Sequence, residues 1–240
     1  MAGQKAERQE QGLIDAIRMG FGKNGGKPFT VVGANGIRIP RVKFAEKFEG
    51  RSSAGTEPYT DVIITTDRTT FNVSNKGESA PSIAGGGLEG LELAVPGLTK
   101  MFLNAALNEY IKKGFISGMM DVPDMYGKVS DNLKEKIVVG NKKMGGPIDY
   151  MYIGPMDVKY TFSAGTLRLN GSFYPAKKYA KDNDLYLRLR KRRVDQPFVA
   201  EEKDSKGLPL IMGKSPSRGD KGRRIVTVKK PPRNALIVEF

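Results

Sequence analysis

No histidine, cysteine or tryptophan occurs anywhere in the 240 residues. Without cysteine the chain forms no disulfide and offers no thiolate nucleophile, iron–sulfur ligand or zinc-finger thiol. Without histidine it builds no Ser-His-Asp triad, no histidine-metal finger nuclease and no HExxH zinc site. Any catalysis must run on carboxylates, lysine, Ser/Thr, tyrosine, a cofactor or a bound hard metal. The metals suited to such oxygen donors are of the magnesium type. Long apolar runs are also missing: none approaches the roughly 18 residues of a spanning helix. The opening segment MAGQKAERQEQG lacks the apolar stretch of a secretory signal. The expectation is a cytoplasmic or virion-associated chain with no membrane partner.

What is present is positive charge. Forty Lys+Arg face twenty-six Asp+Glu, a formal net charge of +14. The excess is local: residues 176–240 hold eighteen basic against eight acidic residues, a net of +10, and leave +4 for the first 175. Such asymmetry points to a polyanionic partner, of which DNA is the foremost. At 39% hydrophobic and 28% charged, the composition is that of a globular chain.

Periodicity divides the chain into an N-terminal helical region over 1–24, an α/β core over 25–175 and a basic strand-and-loop region over 176–240. The fold class expected is α+β or mixed α/β. Leu13, Ile14 and Ile17 mark an amphipathic helix over 7–19. Phe29–Val32 and Gly36–Ile39 read as strands around Asn35-Gly36. Pro40 opens a predicted helix that ends at Gly50, with Phe44, Ala45 and Phe48 on one face. Asp61–Thr66 and Thr69–Asn75 are β-rich runs joined by Asp67-Arg68, a predicted hairpin. Residues 77–92 are rich in glycine and serine and read as a long loop. A strong helix follows Pro96, carried by Leu98, Met101, Phe102, Ala105 and Tyr110 up to Gly114. Residues 117–129 read as loop, and Ser130 caps a predicted helix to Val138. Strands at 150–153, 158–162 and 166–173 are expected to form a small antiparallel set. Leu185, Leu187 and Leu189 alternate in a strand over 184–194, and two last strands are expected at 223–228 and 235–240. Tyr150, Tyr152 and Tyr160 with Met151 and Met156 are expected to pack in the core.

The hairpin carries the chemistry. Asp61 opens its first strand, and Ser74-Asn75-Lys76 closes its second. Ser74 and Lys76, two apart, share one sheet face, and Asp61 is brought near them by the tight turn. A carboxylate beside a lysine at the end of paired strands suits a magnesium-assisted attack on phosphate: the metal acidifies water, and the lysine steadies developing negative charge.

This arrangement resembles the PD-(D/E)XK nuclease superfamily, whose core runs helix bearing an acid, strand beginning with Asp, strand ending in acid-x-Lys, then helix. The matching residues are Glu46 or Glu49, Asp61, Ser74-x-Lys76 and the helix after Pro96. The likeness covers roughly residues 40–115. It implies a nuclease-like α/β core, DNA as substrate and Mg2+ or Mn2+ as cofactor, with Asp61 as metal ligand and Lys76 stabilising the attacked phosphate. Ser74 stands where the family has its second acid, so Glu46, Glu49, Glu78 or Glu57 would complete the ligand set, or the protein would bind DNA without cutting it.

Gly85-Gly86-Gly87-Leu88-Glu89-Gly90 satisfies G-x-G-x-x-G but lacks the preceding strand of a dinucleotide site. It reads as loop. Tyr186, Arg188, Arg190 and Arg192 lie two apart on one predicted strand, at about 6.6–6.8 Å per repeat, which suits successive phosphates. Arg193, Lys177, Lys178, Arg223 and Arg224 extend the basic surface. The other reading of these features is a non-enzymatic component of a nucleoprotein assembly, such as a phage head or neck protein, held to its own copies or to partner subunits.

Overall fold

Leu13, Ile14 and Ile17 recur at helical spacing, and the chain around them is helical from Ala2 to Lys23 (α1). In this computed structural model residues 2–78, 87–190, 196–214 and 225–240 are described. They belong to two compact units that interleave in sequence. The first comprises Met1–Ala80 and Val138–Asp182, the second Pro81–Ile137 and Asn183–Phe240. The class is mixed α/β: among the described residues there are five α-helices and two mixed sheets of eight and four strands.

In the first unit the strands are β1 (Phe29–Val32), β2 (Arg38–Lys47), β3 (Val62–Thr66) and β4 (Thr70–Gly77). They continue as β6 (Tyr150–Gly154), β7 (Tyr160–Ser163), β8 (Thr166–Leu169) and β9 (Ser172–Pro175). Their order is β7-β8-β1-β2-β3-β4-β6-β9. β1 to β4 form an antiparallel meander, β6 adds parallel to β4, and β8 adds parallel to β1. The strands expected as a separate antiparallel set therefore lie at the two flanks of one large sheet. The predicted 166–173 strand is two strands that pair with different neighbours.

One face of this sheet buries Val31, Ile39, Val42, Ala45, Val62, Ile64, Val73, Tyr152, Leu167 and Phe173 against Leu13, Ile14 and Ile17 of α1. Tyr152 and Met151 are buried, and Tyr150 and Tyr160 pack against the core's edge, as the aromatic cluster suggested. Gly20 lets α1 approach closely: a Cβ there would stand 2.8 Å from the ring of Phe29. A short helix, α5 (Ala176–Asp182), follows β9.

The helix expected over 40–50 is strand β2. Its pairing shifts register against both neighbours, between Ile39 and Val42 on one side and between Val42 and Phe44 on the other. Arg41 adopts a φ of 59° there. Each extra residue leaves the inward side chains three apart, at Ile39, Val42 and Ala45. That spacing imitates a helical stripe.

In the second unit β5 (Met125–Lys128), β10 (Tyr186–Leu189), β11 (Ile225–Val228) and β12 (Leu236–Val238) form the sheet β11-β10-β5-β12. Helix α2 spans Gly87–Ala94 and α3 spans Leu98–Lys112. Residues 87–92 are thus helical and 125–128 a strand, where loops were expected. α3 buries Leu98, Phe102, Leu103, Ala106 and Tyr110, while Met101 faces solvent. Helix α4 (Asp131–Val139) leads the chain from the second unit back to the first and ends at Gly140, φ 71°. No described helix is long and apolar enough to cross a membrane.

Candidate functional site

β3 and β4 pair with Val62 opposite Val73, so Asp61, one residue before β3, arrives opposite Ser74. Its own N–H donates to the Val73 carbonyl at 2.9 Å. The Ser74 hydroxyl donates to Asp61 Oδ2 at 3.1 Å, and the Asn75 N–H donates to the same oxygen at 2.6 Å. Both bonds favour the ionised carboxylate, as does the nearby Lys76 ammonium. Burial outweighs them and raises the Asp61 pKa, with Glu57 adding to the rise. The three sequence-selected residues Asp61, Ser74 and Lys76 are therefore brought together, with Ser74 as a hydrogen-bond donor that fixes one carboxylate oxygen.

The acid from a helix is Glu10, which sequence reasoning passed over. It lies on α1, one turn before Leu13 and Ile14 on the same stripe, and its side chain is only 14% exposed. Burial and the charge of Asp61 push its pKa up from 4.5 to about 7, against the opposing pull of Lys47 and Lys76. Lys47 Nζ stands 3.9 Å from Glu10 Oε2. The preceding residue holds the helix in place: buried Gln9 donates from Nε2 to the carbonyls of Gly154 at 2.8 Å, Pro155 at 3.2 Å and Lys76 at 3.3 Å. The charge of Asp61 thus reaches Glu10 near where β2 ends, β3 begins and β4 ends. The sequence signal was a polar Gln9-Glu10 pair continuing an apolar helical stripe, where a solvated face would not place it.

The other nominated acids are not in this group. Glu46 lies on strand β2, paired with Ile63, and is exposed; Glu49 follows the strand and is exposed. Neither is on a helix, and neither is among the leading charges acting on Asp61 or Glu10. Glu78 is exposed after β4, and its charge acts on the Tyr152 hydroxyl. Glu57 is exposed but acts on Asp61.

The nominated basic residues fall in both units. Lys177 and Lys178 lie on α5 of the first, where Lys178 pairs with Asp182 at 2.6 Å. Tyr186 and Arg188 lie on β10 of the second, an interior strand between β11 and β5. Arg188 is engaged: it forks onto Asp124 at 2.5 and 2.7 Å and lies over the Tyr126 ring. Arg190 is half-buried just past the end of β10. Arg192, Arg193, Arg223 and Arg224 lie outside the described residues, as do Gly85 and Gly86; Gly87 to Gly90 open α2.

No protein-family model, curated protein or solved structure matches the chain. The donor set speaks for itself. Asp61 and Glu10 offer hard oxygens, and their mutual repulsion is the field a cation relieves. Magnesium is commonly held by one or two carboxylates with waters and substrate phosphate oxygens, and carboxylates are the donor type present here. Among the described residues no three acidic side chains stand close enough to hold an ion by themselves.

Proposed function

We propose that this protein binds nucleic acid and that Glu10, Asp61, Ser74 and Lys76 form a metal-assisted phosphodiesterase site. The observation that carries the proposal is two partly buried carboxylates with raised proton affinity, Asp61 acting on Glu10, and the Lys76 charge acting on both. The order of elements supports the likeness to the PD-(D/E)XK nucleases: α1 bears an acid, β3 follows Asp61, β4 ends in Ser74-x-Lys76, and helices come next in the chain. Ser74 and the Asn75 N–H hold Asp61 Oδ2, which orients the carboxylate and leaves Oδ1 for a ligand. Glu10 supplies the second oxygen donor from the helix. A bound Mg2+ or Mn2+ supplies Lewis acidity to the phosphate and a more acidic water. Lys76 offsets negative charge that grows on the attacked phosphate.

A second reading rests on Ser74 standing in place of an acid: the protein binds nucleic acid as part of an assembly and cuts nothing. One experiment separates the two. Supercoiled DNA is incubated with the protein and Mg2+ or Mn2+, beside Asp61→Asn, Glu10→Gln and Lys76→Ala. We expect metal-dependent nicking that falls at least about 100-fold in Asp61→Asn and Lys76→Ala, the scale for removing one electrostatic group from such a site. Equal, background-level nicking by all four proteins leaves the assembly reading.

A further inference from the structure

The face of the large sheet opposite α1 carries exposed side chains on β7, β8 and β2. Strand alternation assigns its residues. Val31, Ile39, Leu167 and Leu169 point into the core under α1, so Thr30, Val32, Arg38, Thr166 and Arg168 point the other way. Register aligns them in rows, since directly opposed residues share a face. Thr161 pairs with Arg168, Arg168 with Val32, and Val32 with Arg38. The next row is Ser163, Thr166 and Thr30. Arg38, Arg168, Thr161 and Ser163 are exposed, and Thr30 and Thr166 half-buried. Both rows lack an acid.

Three described arginines have acidic partners: Arg8 pairs with Asp157, Arg41 with Asp67 and Arg188 with Asp124. Arg38 and Arg168 form no ion pair with any described residue. They straddle β1 two strands apart, about 10 Å between backbones from the inter-strand spacing. Buried Val32 is paired with both across the strands. Two permanently charged forks over a floor of four hydroxyls form a surface for phosphate oxygens.

We propose that this sheet face is a docking surface for a nucleic-acid backbone, with Arg38 and Arg168 each contacting a phosphate and the hydroxyls of Thr30, Thr161, Ser163 and Thr166 donating around them. Charge complementarity names the occupant: two guanidiniums with no ion pair among the described residues, hydroxyl donors, and no carboxylate in either row. β2 runs from Arg38 on this face to Lys47, which stands 3.9 Å from Glu10 on the α1 side. Its ten residues span about 30 Å, and Lys43 lies exposed along it. The inference extends the nucleic-acid reading to a surface outside the strongly basic C-terminal region.

The test measures binding with chelator present, so that cleavage plays no part. The probe is a dye-labelled DNA duplex of about twenty base pairs, titrated at several salt concentrations. Arg38→Ala/Arg168→Ala should bind at least about tenfold more weakly, and its log-affinity against log-salt slope should be shallower by about 1.8, two lost phosphate contacts. Arg38→Lys/Arg168→Lys, which keeps the charge, should restore most of the slope. Unchanged affinity and slope in the alanine variant, with the wild type binding, overturns this surface and leaves the cleavage site untouched. A wild type that nicks no DNA but shows the arginine-dependent slope removes the cleavage reading and leaves this surface. Absence of wild-type binding overturns the surface.

Discussion

A glutamate one turn upstream of a buried apolar stripe is either mispacked or employed. Glu10 is held over the end of the sheet by Gln9, faces Lys47 and repels Asp61. Its raised pKa makes it a reporter of the site before any ligand binds. The folded chain holds this proton more tightly than the unfolded one. The associated stability is therefore fully present below the ordinary value of 4.5 and is lost as pH rises through about 7. With divalent metals chelated, the thermal midpoint should fall between pH 5 and 8, and Glu10→Gln should flatten that fall. Parallel pH profiles for the two proteins would remove Glu10 from the carboxylate pair.

At the scale of elements, the helix α1 and the sheet meet at Gly20. Alanine is the better helix former by up to about 1 kcal/mol, which alone would make Gly20→Ala stabilising. The added Cβ would, however, stand 2.8 and 2.9 Å from two ring atoms of Phe29, itself buried in the core. Overpacking of this kind costs about 1–3 kcal/mol, so we expect a net loss of stability in denaturant titration; a gain would mean that α1 sits farther from β1. The same close packing explains which elements could be read in advance. The β3–β4 hairpin was legible because Val62, Ile64 and Val73 alternate against half-buried neighbours across a short turn. β2 was not, because its two register shifts turn a period of two into a period of three. β5 was hidden by Gly127, which has no side chain to show alternation and is required where a Cβ would meet Phe240 and Phe102. α2 was hidden by the glycines at its start, although Leu91 and Ala94 bury one face. The carboxylate–lysine half of the site lay within one hairpin and was visible. Its helical acid came from 51 residues upstream of Asp61 and was brought there only by the packing of α1.

Across the whole molecule, charge and protonation act on different parts of the proposed function. The net +14 contains no histidine, and the proposed sheet face uses arginine, which stays protonated in the physiological range. Affinity for a DNA duplex should therefore change little between pH 6 and 8 at fixed salt, while falling steeply as salt rises. Cleavage should behave differently. Below about pH 7 the Glu10 carboxyl is mostly protonated and is a poor donor for a cation, so at limiting Mg2+ the nicking rate should climb from pH 6 to 8. Saturating metal should shift that climb to lower pH, because metal and proton compete for the same oxygens. Glu10→Gln removes the titrating group, and the part of the climb that belongs to it should vanish. Measured on one preparation, flat binding and rising cleavage would assign recognition to the arginine face and turnover to the Glu10–Asp61–Lys76 cluster. If binding itself rose or fell several-fold across this range at constant salt, titrating groups would have to contact the DNA, and the permanently charged face would not be its main contact.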